Sequence, residues 1–200
     1  MARTEEQLRK EVQESIDRVF GMVYKGVATD PRHWLNYARS LRLAASILQP
    51  HFESEPSSGP NENKKGFRPA VGPTYLLLVG FAVENYAKAI SIILDPDVVS
   101  DGKLVRLKRH DLLGLLADIR FHLSPEEDEL VERLEQFVQW AGRYPVPTKA
   151  ETIGPRKRRH PELGDFLIYS VKGDSTLCVT IMDRLDKAVT DEMSALRPGG

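Results

Sequence analysis

Apolar side chains recur along most of the chain at spacings of three and four residues, the period of an amphipathic α-helix. The first stripe follows Thr4 and Gln7, which are spaced as a capping box, and Gly26 is a candidate stop. It forms one helix face: Leu8, Val12, Ile16, Val19, Phe20 and Val23. A second stripe follows Asp30-Pro31, a typical helix start. Its members are Trp34, Tyr37, Leu41, Ala44, Ala45 and Leu48.

The third predicted helix, from about residue 74 to 94, is apolar nearly all round and should therefore lie at the centre of the protein. Two shorter helices follow. Asp111 is placed to cap the first of them, and Ser124 with Glu127 is placed to form a capping box for the second. Gly142 is the predicted end of that helix, and a final helix is predicted over about residues 175–196.

Two segments lack this periodicity. Residues 51–73 are rich in Pro, Gly, Ser and charged residues, which predicts a long flexible loop. Residues 143–172 form a second irregular segment, with a possible short extended piece at "FLIYSV", residues 166–171. No strand-helix alternation and no internal repeat is visible. The pattern therefore predicts one all-α domain over residues 1–200.

Composition fits a soluble globular protein, with 41% hydrophobic residues, 28% charged residues and a net charge of −1. The single cysteine, Cys178, excludes an intramolecular disulfide and a multi-cysteine zinc site. The most apolar run, residues 70–83, is shorter than a membrane-spanning helix needs, and Glu84 and Lys88 then interrupt it. The N-terminus has no signal-peptide pattern. We expect a cytoplasmic protein with no membrane partner.

The segment "VGFAVENYAKAI", residues 79–90, places Glu84, Asn85 and Lys88 on the helix predicted to be most buried. Glu84 and Lys88 stand four residues apart with the acid first, the favourable order for a helical ion pair. Arg143 is a candidate second partner for Glu84. Two interpretations are open: a structural clasp, or a polar pocket formed by these four residues with His110.

Three segments together resemble bacterial HEPN-like helical-bundle proteins: "LLLVGFAVENYAKAI", "RHDLLGLL" and "QWAGRYPVP". The resemblance is closest to the uncharacterised bacterial branch that carries a G-x-x-x-E-N-x-x-K helix, and it covers about residues 34–147. It implies an up-and-down bundle of four to five helices, here with a C-terminal helix and two long loops. It also implies frequent homodimerisation and roles in toxin–antitoxin, phage-defence or RNA-processing systems.

Active HEPN ribonucleases carry an arginine and a histidine separated by four to six residues, and this chain departs from that pattern. Its nearest approaches are Arg106 with His110 and Arg156 with His160, each with three residues between. On a helix that spacing places both side chains on one face. The sequence therefore favours a non-catalytic binding or dimerisation module. A metal-independent endoribonuclease using one of these atypical pairs is the alternative, and whether the chain is an enzyme stays open.

A basic cluster, "RKRRH", lies within the second irregular segment and contributes Arg156, Lys157, Arg158 and Arg159. Such side chains can contact the phosphates of nucleic acid. The cluster is a possible nucleic-acid-binding arm, with RNA as the expected ligand, or a solvated loop. A protein partner or a second copy of the chain is the other expected partner.

The sequence contains no clear metal or cofactor motif. His110-Asp111 with His33 and Asp183 would be needed for a metal-hydrolase site, but capping by Asp111 explains that pair more simply. We therefore expect no metal and no cofactor. Cys178 lies on an apolar stripe and is expected to be a buried, inert thiol. Gly80 and Gly114 are expected to permit close approach of neighbouring helices.

Overall fold

The computed structural model describes residues 4–54, 71–98, 107, 109–141 and 173–196. These residues form six α-helices and no β-strand, which confirms the predicted all-α class. A 3₁₀ turn follows the third helix and a π-helical turn, Phe137–Ala141, follows the fifth. The helices are α1 (Glu5–Ala28), α2 (Pro31–Ser54), α3 (Gly72–Leu94), α4 (Leu112–Asp118), α5 (Pro125–Gln136) and α6 (Asp174–Ala195).

The predicted caps are present at the starts of three helices. Thr4 Oγ1 accepts from Gln7 N at 3.3 Å, and Gln7 Oε1 accepts from Thr4 N at 2.9 Å. The same reciprocal pair joins Ser124 and Glu127 at the start of α5, at 3.3 and 2.9 Å. Asp111 Oδ1 accepts from the backbone N–H of residue 114 at 2.8 Å and so starts α4. These side chains satisfy donors that a helix leaves unpaired at its start.

Helix ends differ from the sequence predictions. α1 passes Gly26 and ends at Ala28, because a glycine weakens a helix without forbidding it. α2 continues through Pro50 to Ser54, so residues 51–54 are helical rather than part of a loop. α3 begins at Gly72, two residues earlier than expected. The remaining loop residues, 55–70, and the predicted irregular segment 143–172, including the extended piece at 166–171, lie outside the described residues.

The core is built around α3, which packs against α2, α4, α5, α6 and the π-helical turn. Fifteen of its 23 residues are buried, on every side of the helix. By length and composition this helix could cross a membrane, yet 72% of its most apolar window is buried inside the protein. That burial is typical of the core helix of a soluble protein, as the apolar pattern predicted.

The close contacts at Gly80 and Gly114 have different causes. A Cβ at Gly80 would lie 2.5 Å from Val138 Cγ2 and 3.2 Å from the Leu134 carbonyl oxygen, so this glycine does allow close approach of a neighbouring element. A Cβ at Gly114 would instead collide with the carboxylate of Asp111, which caps the same helix. The nearest constraint at Gly114 is therefore the cap of its own helix, and the expected close approach of a neighbouring helix stays a prediction there.

Helix α1 stands apart from this core. Of its 24 residues only Ala28 is buried, and among the described elements it contacts α2 alone. Its apolar stripe faces outward, with Val12 57% and Phe20 67% exposed. The amphipathic pattern predicted the helix correctly, but the described part of the chain does not cover its apolar face.

Two ion pairs join α2 to α6. Arg39 Nε donates to Asp186 Oδ1 at 2.7 Å and its Nη2 donates to Oδ2 at 3.1 Å, a bidentate contact. One turn along α2, Arg42 donates to Asp183. These contacts fix the relative position of two helices that both pack on α3.

Candidate functional site

Three polar side chains are buried in the middle of α3. Glu84 is 4% exposed, Asn85 8% and Lys88 6%. A charge that is removed from water destabilises the fold by several kcal/mol unless a partner neutralises it. The contacts of these side chains therefore decide what the site can do.

Glu84 and Lys88 form the ion pair that their spacing predicted. Lys88 Nζ donates to Glu84 Oε1 at 2.5 Å, and both side chains are buried. The same ammonium group lies 5.7 Å from the centre of the Trp34 ring on α2, where the ring face attracts a cation. Trp34 Nε1 in turn donates to the Ala28 carbonyl at 3.0 Å, at the end of α1. The buried ammonium group of Lys88 therefore contacts a ring on α2 that is itself hydrogen-bonded to the end of α1.

The second oxygen of the same carboxylate contacts a histidine from another part of the chain. His110 Nδ1 lies 2.9 Å from Glu84 Oε2, and its ring stands edge-on to Phe81 at 6.4 Å between centroids. A carboxylate only accepts hydrogen bonds, so Nδ1 donates and, in the neutral ring, the lone pair sits on Nε2. The His110 side chain is 43% exposed, so one edge of the ring faces inward and the ring still reaches solvent.

The residues on either side of His110 hold it against α3. Asp111 caps α4, and the backbone N–H of Leu112 donates to Glu135 Oε2 of α5 at 3.1 Å. On the other side of the histidine, Arg109 forms an ion pair with Asp118 at the end of α4. Contacts with two helices therefore fix the chain on either side of the imidazole.

Asn85 was predicted to belong to the same polar core or pocket, and its side chain is buried. Its Nδ2 donates to the carbonyl oxygen of Phe81, one turn back along α3, at 2.7 Å. That bond gives one N–H of the amide a partner inside its own helix. The contacts between side chains join Glu84, Lys88 and His110, with Trp34 at the edge of the cluster.

Several candidate site residues cannot be placed. Arg143, expected to clasp Glu84, lies outside the described residues, as do Arg106 and the basic segment 156–160 with Arg156, Lys157, Arg158, Arg159 and His160. In the described structure His110 occupies the position of second partner to Glu84. The pairing of His110 with Arg106, and the nucleic-acid arm, remain predictions.

The residues considered for a metal site are not brought together. His33 lies near Asp30, with 3.9 Å between Nε2 and Oδ2, while Asp183 pairs with Arg42. In the described ranges there is no group of three or more His, Cys, Asp or Glu side chains placed to hold a metal ion.

Sequence reasoning missed two buried acids with long-range partners. Glu127, predicted only as a cap, also accepts from Arg184 Nη1 at 2.7 Å with each of its oxygens. Asp174, the first residue of α6, accepts from Arg133 Nη2 at 2.6 Å. The partners lie 57 and 41 residues apart along the chain. Only local spacing is visible in a sequence, so no signal pointed to these pairs.

Comparisons of the chain with protein families, with curated proteins and with solved structures find no match.

Proposed function

We propose that this chain is a HEPN-like helical bundle that acts as a non-catalytic binding or dimerisation module in a bacterial defence, toxin–antitoxin or RNA-related system. The observation that carries the proposal is the state of Glu84. One carboxylate oxygen contacts Lys88 and the other contacts His110. Both oxygens therefore have partners inside the bundle. A carboxylate with a structural role needs both contacts, whereas a reactive acid does not need them.

The arrangement of the resembling segments supports the family assignment. "LLLVGFAVENYAKAI" forms the buried core of α3, and "RHDLLGLL" supplies His110 and most of α4. The Glu84–His110 hydrogen bond joins these two segments directly. We propose on this basis an up-and-down order of helices, a cytoplasmic location, and a homodimer as the working form.

The second candidate function is a metal-independent endoribonuclease, and one observation favours it. His110 has Nδ1 on a buried carboxylate while its ring remains 43% exposed. A histidine oriented in this way can take or give a proton at Nε2. In that proposal Arg106, four residues earlier, stabilises the charged phosphorane, and the Arg156/His160 pair is the other possible source of the same groups.

One experiment separates the two candidates. The purified full chain is incubated with a mixture of structured RNAs in the presence of a metal chelator, beside His110→Ala and His160→Ala. His33→Ala is the matched control, because His33 lies on α2 beside Asp30 and not against Glu84. The binding-module proposal expects intact RNA with every protein. Cleavage that is lost in His110→Ala or His160→Ala but kept in His33→Ala would establish the enzyme instead.

RNA binding without cleavage is tested through the basic segment. Reversing the charges of Arg156, Lys157, Arg158 and Arg159 should abolish retention of RNA at low salt, because phosphate contacts supply most of the non-specific affinity. Retention that is unchanged by the reversal would remove this segment as the binding arm and would leave protein–protein contact as the proposed activity.

A further inference from the structure

A cavity of about 610 Å³ lies where the ends of α3 and α6 meet the turn that follows α4. Its volume is in the range of small-molecule sites in proteins. The apolar part of its wall includes Ile90 and Leu94, one turn apart on α3, and Phe121 after α4. The lining residues include neither Glu84 nor His110, so this cavity is separate from the cluster described above.

The turn that lines this cavity holds Arg120 in a conformation that usually belongs to glycine. Its φ is 55°, in the left-handed region. The Phe121 N–H donates to the Leu116 carbonyl at 2.9 Å, and the Arg120 N–H donates to the Ala117 carbonyl at 2.9 Å. These two bonds form a Schellman motif, whose left-handed position is most often glycine. Backbone strain at a residue that could be glycine is typical of functional sites.

Two opposite charges line the cavity without neutralising each other. Arg120 and Glu192 both belong to its wall, and within the described residues neither side chain forms an ion pair or a hydrogen bond. Glu192 stands one turn after Ala188, so both leave the face of α6 that borders the cavity. The third charged lining residue, Asp118, is already paired with Arg109. One cation and one anion at this cavity are therefore open to a ligand.

These groups select the chemistry of the ligand. A guanidinium group such as that of Arg120 binds a carboxylate through two parallel hydrogen bonds. The carboxylate of Glu192 binds an ammonium group, and the C-terminus of α3 at Leu94 adds partial negative charge that favours the same cation. A ligand with only a carboxylate would meet the like charge of Glu192, and one with only an ammonium group would meet that of Arg120.

We propose that this cavity binds a small zwitterion with an apolar body, the chemistry shared by free apolar amino acids and short apolar peptides. Arg120 binds the carboxylate, Glu192 binds the ammonium group, and the apolar wall covers the body of the ligand. The strained backbone at Arg120 is retained because glycine would have no guanidinium group to offer. The site goes beyond the proposed function and depends neither on a dimer nor on RNA.

Binding is tested by calorimetric titration of the full chain with L-leucine, L-phenylalanine and unblocked leucyl-leucine. At least one of them should bind, and the tighter of the amino acids and the dipeptide identifies the source of the ligand. The same molecules with the ammonium group acetylated or the carboxylate amidated should bind about 10-fold more weakly or worse. No binding of any zwitterion at about 10 mM, or a capped form that binds as tightly as its parent, overturns the proposal.

Two variants separate the anion from the cavity itself. Glu192→Gln removes the negative charge with little change in shape, and Ala188→Phe fills the cavity while both charges stay. Each should weaken binding about 10-fold or more. Glu6→Gln is the matched control, because Glu6 is an exposed glutamate on α1, which contacts α2 alone among the described elements. This control should bind as wild type does, and wild-type binding by Glu192→Gln overturns the proposal.

Arg120→Gly tests the link between backbone strain and binding. Glycine adopts the left-handed conformation freely, so the unfolding temperature should rise by about 2–4 °C. Binding should weaken about 10-fold or more, because the guanidinium group is lost. A lower unfolding temperature would show that the arginine is retained for stability, and unchanged binding would show that it does not contact the ligand. Either result overturns the role of Arg120.

The position of the ligand is tested by nuclear magnetic resonance of the isotope-labelled full chain. The bound zwitterion should shift the backbone amide signals of residues 90–94, 118–121 and 188–192, which surround the cavity. Shifts concentrated around Glu84 and His110 instead would place the ligand at the other cluster and overturn this site. Neither pattern changes the proposed function, because the oligomeric state and RNA binding are measured separately.

Discussion

Glu84 Oε2 and His110 Nδ1 lie 2.9 Å apart, although 26 residues separate them along the chain. This contact joins the central helix to the segment that begins α4. Because the other oxygen of Glu84 contacts Lys88, one buried carboxylate neutralises a cation on its own helix and orients a ring from another. Removing its charge therefore affects both the stability of the bundle and the position of the imidazole.

Glu84→Gln should lower the free energy of unfolding by about 3 kcal/mol, because it leaves the buried Lys88 ammonium without a counter-charge. Urea unfolding of both proteins measures the change. Glu14→Gln is the control, since the Lys10–Glu14 pair has the same spacing but is exposed, at 3.9 Å between Nζ and Oε1. It should change stability by less than about 0.5 kcal/mol. An equally small change in Glu84→Gln would mean that the α3 pair is solvated.

Gly80→Ala should destabilise the protein although alanine is the better helix former. The gain in helix propensity is about 1 kcal/mol, but the new methyl group would lie 2.5 Å from Val138 Cγ2 and 3.2 Å from a backbone oxygen. Overpacking of this kind costs about 1–3 kcal/mol. Thermal unfolding followed by circular dichroism measures the net effect.

Gly21→Ala is the matched substitution for that experiment, because an added Cβ there has no neighbour within 4 Å. It should leave the unfolding temperature unchanged or raise it. Equal effects of the two alanines would show that the contact between α3 and the π-helical turn is loose.

Much of the fold follows from local sequence patterns. The caps at Thr4, Asp111 and Ser124 were predictable because each contact spans three residues. The central position of α3 was predictable because a helix that is apolar all round has no side to present to water. The Glu84–Lys88 pair was predictable for the same reason as the caps, since its partners are one turn apart.

The contacts that define the candidate site depend on the tertiary arrangement and were less accessible. Sequence reasoning grouped His110 with Glu84 but could not determine which atom meets which, and it did not foresee that Asn85 donates to the carbonyl of Phe81. The approach of Trp34 to Lys88 had no sequence signal. An amphipathic pattern likewise shows that a helix has an apolar face without showing what covers it, which is why the exposure of α1 was not foreseen.

Asp186→Asn should reduce the loss in free energy of unfolding that the protein shows as the pH falls into the acid range. Arg39 hydrogen-bonds to Asp186 and holds the pKa of that carboxyl below its ordinary value of 3.8. A lowered pKa in the folded state contributes stability above the unfolded value, and this contribution is lost as pH falls through the folded pKa. Wild type should therefore be more stable than Asp186→Asn near neutral pH, and the difference should disappear in strong acid.

Urea unfolding across this pH range measures the difference. Asp191→Asn provides the comparison, because Asp191 and its partner Lys187 are both largely exposed. Its free energy of unfolding should equal that of wild type at every pH. A gap between wild type and Asp186→Asn that stays constant down to strong acid would show that Asp186 acts through packing rather than through its charge.

Cys178 should react with a thiol reagent such as Ellman's reagent far more slowly in the folded protein than in the unfolded one. Burial raises the pKa of its thiol to about 12, and the thiolate is the reactive form. Near pH 8 an unfolded cysteine, with a pKa of about 8.5, is roughly one quarter thiolate. The folded thiol would be ionised about a thousandfold less, and its burial also blocks access.

The chain has a single cysteine, so the colour released by the reagent reports this thiol alone, and Cys178→Ser provides the blank. The rate in increasing urea should rise in step with the unfolded fraction measured by circular dichroism. Reaction of the folded protein within about tenfold of the unfolded rate, already in the absence of urea, would mean that α6 opens from the core far more often than its packing against α3 allows.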